Sequence, residues 1–143
     1  MSEEAPGRRR GDLIVVNPTE LGAPRGFAHG VLAPAGGRLL FVAGQTAASA
    51  DGRIATGDFA EQFEIALRRV LAVVRAAGGH PQHVTRMTMY VTRMKDYRDS
   101  RPRLRDVWGR HMGAHYPAMA VVQVTGLVDE AAQVEIEADA VLP

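Results

Sequence analysis

The fold is decided by a stretch near the end of the chain, residues 133–141, which has the sequence QVEIEADAV. Apolar and acidic residues alternate in it, a period of two that predicts a β-strand with one buried and one polar face. The apolar side carries Val134, Ile136, Ala138 and Ala140, and the polar side carries Glu135, Glu137 and Asp139. Three carboxylates cannot all be buried unpaired, so the polar side predicts a cleft at a subunit boundary, with arginines such as Arg86 nearby.

Five further segments have the composition of strands: residues 12–17, 29–33, 38–45, 84–92 and 118–125. The sequence Pro-Ala-Gly-Gly at 34–37 predicts a tight turn, so 29–33 and 38–45 are expected to pair as a hairpin. Within 84–92 the alternation predicts that Val84, Arg86, Thr88 and Tyr90 share one face. The segments 38–45 and 118–125 are apolar on both faces, so both faces of the sheet need cover.

Two segments have helical periodicity. Residues 58–77 place apolar side chains along one stripe, with Asp58 and Glu61 as a predicted capping box and a Gly-Gly stop after the last turn. Residues 97–112 predict a second helix, whose regular part is expected to begin near Pro102 because proline favours a first turn.

The predicted order is β-β-β-α-β-α-β-β, an α+β class with a six-stranded mixed sheet and two helices on one face. Two helices cover only one side of such a sheet. The remaining sequence offers no second layer, so we expect another copy of the chain to cover the other face.

Composition limits the classes of function. The chain has 143 residues, 46% of them hydrophobic, which suits one soluble domain over 11–143 with residues 1–10 as a disordered tail. It has no cysteine, which excludes disulfides and thiolate chemistry. A net charge of +1 does not favour binding of nucleic acid. The sequence contains no apolar run long enough to cross a membrane. The first ten residues lack the apolar core of a signal peptide, so we expect a cytoplasmic protein.

The residues alone give no strong catalytic motif. His111 and His115 have a spacing that zinc can use, but Gly113 and Pro117 predict that the helix ends before His115, so no metal site is expected. Gly44 and the residues after it either present backbone N–H groups to a ligand or simply end a strand. Glu135 is either a desolvated general acid or base, or one member of an ion pair.

Several short segments together resemble the RidA/YjgF family of reactive-intermediate deaminases, over residues 26–142. The matching segments are FVAGQT at 41–46, AAGG at 76–79, the strand at 84–92, YPA at 116–118 and VEIEA at 134–138. The resemblance implies a chorismate-mutase-like subunit and a homotrimer, with three sheets around a central barrel and ligand clefts between neighbours. It also implies hydrolysis of imines and enamines, such as 2-aminoacrylate, without metal or cofactor.

The resemblance assigns roles residue by residue. Glu135 stands at the position of a glutamate that positions or activates water, and Gly44 is its predicted partner in catalysis. Met119 stands where the family has an arginine that grips the substrate carboxylate, and a thioether cannot donate such hydrogen bonds. Phe27 replaces a common tyrosine, and Arg101 a common asparagine. The predicted binding residues are Phe27, Gln45, Tyr90, Arg101, Trp108 and Met119.

Three hypotheses follow for the function. The first is a deaminase-type hydrolase whose substrate differs from 2-aminoacrylate because Met119 removes the anion grip, unless Arg101 or Arg86 supplies another cation. The second is a trimeric protein that binds a small metabolite in the same cleft without turnover. The third, a ribonuclease, is disfavoured by the near-neutral charge and the absence of an acid/base histidine pair.

Overall fold

The computed structural model describes residues 12–143. Its main sheet has four strands. Its order is β3 (Arg38–Gln45), β6 (Val134–Leu142), β4 (Val84–Val91) and β5 (Ala118–Gln123). β6 runs antiparallel to both neighbours, and β4 and β5 are parallel. The carboxylate-bearing strand therefore lies in the interior of the sheet. The predicted tail at 1–10 lies outside the described residues.

A second, two-stranded sheet pairs β1 (Ile14–Val16) with β2 (Gly30–Leu32). The predicted six-stranded sheet is thus divided in two, although the element order and the α+β class are confirmed. One parallel bridge between Ala28 and Ala118 connects the parts, and the Ala28 amide donates to the Pro117 carbonyl at 2.9 Å.

The predicted hairpin between the second and third strands is wrong. β2 pairs with β1, and β3 pairs with the distant β6, with Arg38 opposite Leu142. The turn itself forms, with Gly36 at φ +81°, a conformation that favours glycine. The turn therefore redirects the chain from one sheet to the other instead of pairing the strands beside it.

Helix α1 (Phe59–Ala76) confirms the prediction closely. The Asp58 side chain caps it by accepting from the Glu61 amide at 3.0 Å. The Glu61 side chain accepts from the Thr56 hydroxyl, and not from the cap amide, so only half of the predicted capping box forms. The apolar stripe of α1 is buried against the sheet and forms most of the core.

Helix α2 spans Met94–Met112, so it begins eight residues before Pro102. Its first turns are mostly polar, although Met94 and Tyr97 are partly buried against the core, and the buried positions Leu104, Val107, Trp108 and Met112 all follow the proline. The apolar pattern starts only there, which is why the sequence placed the helix start too late. Pro102 lies on the exposed side, where the chain accommodates the missing N–H bond.

Both helices pack on one face of the four-stranded sheet. We call the opposite face the uncovered face; it carries Leu39, Phe41, Arg86, Thr88, Tyr90, Val122, Glu135, Glu137 and Asp139. Phe41 is 73% exposed and Leu39 66%. A register shift between Val84 and Arg86 moves Val84 into the core, so the prediction that these two residues share a face is wrong.

No helix among residues 12–143 is long and apolar enough to cross a membrane.

Candidate functional site

Glu135 and Gly44, the two predicted catalytic residues, are neighbours on the uncovered face. Glu135 is the second residue of β6 and is half-buried, and Gly44 is the penultimate residue of β3. A side-chain carbon at Gly44 would overlap a carboxylate oxygen of Glu135. The carboxylate thus lies directly over the glycine backbone, in space that any other residue would fill.

A β-bulge brings the two residues together. Val42 is opposite Ala138 and Gln45 is opposite Ile136, so two residues of β3, Ala43 and Gly44, face Glu137 alone. Such an extra residue bends its strand and increases its twist, a feature common beside active sites. The bend places the exposed backbone of Gly44 against the Glu135 side chain, which the alternation of β6 directs to the same face.

Tyr90 also lies on this face, directly opposite Glu135 in the ladder between β4 and β6. Its hydroxyl donates to a carboxylate oxygen of Glu137 at 2.6 Å. This hydrogen bond raises the pKa of Tyr90, so the phenol stays neutral and acts as a donor. Sequence reasoning missed Glu137 as its partner, although the alternation of the two strands could have indicated the pair.

The far end of the same face carries a cation, Arg86, among the carboxylates. Arg86 is opposite Asp139, and both line a small pocket of about 40 Å³ with Thr88 and Glu137. Among residues 12–143, Arg86 forms no ion pair within 4.0 Å. Of the two predicted substitute cations, Arg86 is therefore the one that reaches the carboxylate face.

Met119 and Phe27 lie elsewhere. Met119 is opposite Met87 in the ladder between β4 and β5 and packs against the core, on the helix side of the sheet. The bridge between Ala28 and Ala118 brings Phe27 to the start of β5, where its ring meets His29 edge-on at 5.1 Å. Met119 and Glu135 thus belong to opposite faces of one sheet.

Three predicted binding residues are engaged in other contacts. Trp108 is only 5% exposed, donates from its indole to the His115 carbonyl and stacks on Tyr116, so it is a core residue and not a cleft wall. The Gln45 amide accepts from Arg69 at 3.1 Å and so faces α1. Arg101 lies 5.8 Å over the Tyr97 ring on the surface of α2.

Among residues 12–143, no group of three histidine or carboxylate side chains lies close enough together to hold a metal ion. His111 contacts Glu64 at 2.9 Å, and His115 contacts the Val84 carbonyl at 2.7 Å. These two side chains therefore make separate contacts, although their spacing in the sequence is close.

Sequence reasoning also missed Gln62, a buried polar residue of α1. Its amide donates to the carbonyls of Thr56 and Ala131, and its oxygen accepts from the Gln133 amide at 2.8 Å. These bonds connect two loops that line an open groove of about 780 Å³ at the end of the sheet. They also fix the backbone two residues before Glu135.

Comparisons with known proteins agree with this architecture. The family model described as Endoribonuclease L-PSP matches residues 19–142. Protein DfrA of Myxococcus xanthus is 34% identical over 106 residues, 73% of this chain and 77% of the relative. A RutC family protein of Pyrococcus horikoshii is 31% identical over 71% of this chain and 78% of its own length.

Solved structures match over most of the chain. YyfB of Yersinia pestis, a protein of unknown function of the conserved Rid protein family, has a TM-score of 0.81 at 30% identity, covering 92% of this chain and 99% of that one. TdcF of Escherichia coli with bound serine has a TM-score of 0.66 at 29% identity, covering 85% of this chain and 92% of that one.

Proposed function

Because the chain belongs to the RidA/YjgF family, whose model is described as Endoribonuclease L-PSP, we propose that it hydrolyses a reactive imine or enamine to a carbonyl compound and ammonia. The observation that supports this most is the position of Glu135 over the exposed backbone of Gly44, at a bulge on the uncovered face. The reaction uses no metal and no cofactor.

Glu135 acts as the proton carrier in this proposal. It accepts a proton from water as the water oxygen bonds to the imine carbon, and it gives that proton to the imine nitrogen, which yields an aminoalcohol. It then takes the hydroxyl proton and passes it to the amino nitrogen, so that the C–N bond breaks, the C=O bond forms and ammonia leaves. Its carboxylate makes none of the hydrogen bonds or ion pairs found among residues 12–143, so it is open to a water molecule. The Gly44 backbone holds the reacting group beside it.

The complete site is proposed to form between copies of the chain, in a homotrimer. Phe41 and Leu39 leave an apolar edge exposed next to the carboxylates, which suits burial against a second copy. Met119 and Glu135 lie on opposite faces of one sheet, so a cleft that contains both takes each from a different copy.

Met119 sets the proposed substrate class. The Escherichia coli relative was crystallised with serine, which carries a carboxylate. At the position where the family resemblance implies a carboxylate-binding arginine, this chain has a thioether that offers no hydrogen-bond donor. Loss of such a charge-assisted pair costs about 1.5–3 kcal/mol of binding. We therefore propose an imine that is larger or less acidic than 2-aminoacrylate.

The test is ammonia release from a panel of freshly generated imines with and without an acidic group. We expect Glu135→Gln to abolish the activity, because an amide cannot carry the proton. Glu130→Gln, at an exposed loop position, is the matched control and should retain it. Identical decay of every imine with and without the protein would contradict the enzymatic proposal.

Met119→Arg adds a second arm to this experiment, with 2-aminoacrylate as the substrate. Gain of activity would mean that the remaining machinery is intact and that the lost guanidinium alone changed the substrate. No gain would mean that the pocket as a whole has been rebuilt for another ligand.

A second function, binding of a small metabolite without turnover, is favoured by two substitutions. Met119 stands where the family resemblance implies an arginine, and Phe27 stands where it implies a tyrosine. The chain therefore lacks a guanidinium and a hydroxyl at these two positions, although it keeps the fold. This function predicts saturable binding and thermal stabilisation with no product. A ligand that is consumed with turnover would exclude it.

A further inference from the structure

An arginine-lined groove of about 530 Å³ lies on the outer side of α1, on the other side of the sheet from the uncovered face. We call it the arginine groove and define it by Arg68, Arg69, Arg75 and His111. Its floor is one stripe of α1, its ends are formed by His111 of α2 and by the loop at Ala48 and Ser49, and no carboxylate lines it. Association through the uncovered face would leave it accessible.

The charges of the three arginines in the groove are not neutralised by neighbours. Elsewhere on the two helices, Arg103 pairs with Asp58 and Arg110 with Glu64. Within residues 12–143, no carboxylate lies within 4.0 Å of Arg68, Arg69 or Arg75. Cations that converge without partners repel one another, and a bound anion would relieve that repulsion.

Arg69 is held in place before any ligand arrives. Its Nε donates to the Gln45 side chain at 3.1 Å and one Nη donates to the Ala48 carbonyl at 2.5 Å. A guanidinium has five N–H groups, so it keeps donors for a ligand after these bonds. A fixed guanidinium loses less side-chain entropy on binding than a free one.

The spacing of the arginines indicates the size of the anion. Arg68 and Arg75 are exposed and seven positions apart, roughly 10 Å along the helix axis. A diphosphate carries more negative charge and more acceptor oxygens than a single small anion, so it can accept hydrogen bonds from both side chains at once. Guanidinium groups match phosphate oxygens with paired hydrogen bonds.

The other polar groups add little to this recognition. The Ser49 hydroxyl is already engaged with Asp51 and with the Arg53 carbonyl, so it does not count as a free donor. His111 contacts Glu64, whose negative charge is also shared by Arg110. The three arginines therefore carry the interaction.

We propose that the arginine groove binds a small, multiply charged phosphate compound, of the diphosphate class, at a site separate from the imine site. No residue of the groove belongs to the proposed catalytic machinery, although Arg69 contacts Gln45, the residue after Gly44. The proposal stands whether or not the protein hydrolyses imines.

The test is titration of the full chain with pyrophosphate by calorimetry at low ionic strength, with sodium sulfate at matched ionic strength as the reference anion. We expect saturable binding of pyrophosphate that weakens with salt. The double variant Arg68→Gln/Arg75→Gln should bind it at least tenfold more weakly. Both side chains are exposed, so the thermal midpoint without ligand should not fall, which separates lost binding from lost folding.

Arg105→Gln is the matched control, since Arg105 is exposed on α2 outside the groove. It should bind pyrophosphate as the unchanged protein does. Equal weakening by the control and the double variant, or no saturable binding, would overturn the proposal. Binding of a single-stranded ribo-oligonucleotide through Arg68 and Arg75 without binding of pyrophosphate would also overturn it. Glu135→Gln should leave pyrophosphate binding unchanged, so the two functions are tested independently.

Discussion

At the centre of the proposed imine site, the Glu135 carboxylate occupies the space that a side chain at position 44 would need. A β-carbon at position 44 would meet the outer end of the Glu135 side chain, which has room to move because it is half-buried. At Gly37 the equivalent carbon would instead meet Val141, which is 6% exposed, and the carbonyl of Leu142. The two glycines are therefore required for different reasons.

We predict that Gly44→Ala lowers imine hydrolysis about as far as Glu135→Gln does. It should change the free energy of unfolding by less than about 1 kcal/mol, because only the end of a flexible side chain has to shift. Gly37→Ala should destabilise the fold by about 1–3 kcal/mol, because a buried side chain and backbone resist it. Steady-state rates and urea unfolding of both variants measure the contrast. Unchanged activity in Gly44→Ala would contradict the assigned position of Glu135.

Of the residues predicted for the site, the structure brings Glu135 and Gly44 together, whereas Trp108 and Gln45 make contacts elsewhere. Alternation along β6 fixes the direction of Glu135, so one strand is enough to place it. Trp108 lies on a helix whose indole donor finds the His115 carbonyl inside the core. The bulge in β3 decides where Gln45 points, and no local pattern announces a bulge.

On the outer surface of the protein, two carboxylates, Asp58 at the start of α1 and Glu64 within it, interact with basic side chains of α2. Asp58 accepts two hydrogen bonds from Arg103, at 2.7 and 2.8 Å, and these hold the pKa of Asp58 below its ordinary value. His111, and then Arg110, lower the pKa of Glu64 in the same way. A carboxyl group with a lowered pKa in the folded state stabilises the fold above its unfolded pKa, and that stabilisation is lost as the pH falls through the folded pKa.

We predict that Asp58→Asn lowers the free energy of unfolding at pH 7 by at most about 1 kcal/mol, because the pair with Arg103 is over a third exposed and water screens it. Asparagine can still accept the N-cap hydrogen bond, so the lost free energy of unfolding measures the ion pair and not the helix cap. The difference from the unchanged protein should already be smaller at about pH 3, because the unfolded carboxyl is protonated there, and it should vanish at a pH below the lowered folded pKa of Asp58, where the group is protonated in both states. Urea unfolding at both pH values measures it.

Asp106→Asn is the control for this experiment, because Asp106 is exposed on α2 and forms no ion pair among residues 12–143. It should alter stability much less at pH 7. A deficit in Asp58→Asn that is equally large at pH 7 and pH 3 would contradict the electrostatic explanation.

At the level of elements, the sequence predicted the order of strands and helices but not their pairing. The glycines at 34–37 do form a turn, yet β3 pairs with β6, about a hundred residues further along the chain. Turn chemistry is local and cannot indicate such a partner. For α2, the mostly polar first turns have only Met94 and Tyr97 against the core, too few for a periodic apolar pattern, and the fully buried positions all come after Pro102.

For the whole molecule, the uncovered face is the largest feature that one chain leaves unexplained. It combines exposed Phe41 and Leu39 with three carboxylates and one arginine, Arg86, and Phe41 stands directly opposite Asp139. A second acidic group at position 41 would lie beside Asp139 and be buried with it on association, which costs several kcal/mol. The same substitution on an exposed loop would meet no such penalty.

We therefore predict that Phe41→Asp converts the proposed trimer to a monomer, measured by light scattering after size-exclusion chromatography. It should also abolish imine hydrolysis, because the cleft that joins Glu135 with Met119 needs two copies. Val128→Asp, which replaces a fully exposed apolar residue away from this face, should remain trimeric and active. A monomeric unchanged protein that hydrolyses imines, or a trimeric Phe41→Asp, would mean that this face is not where the copies meet.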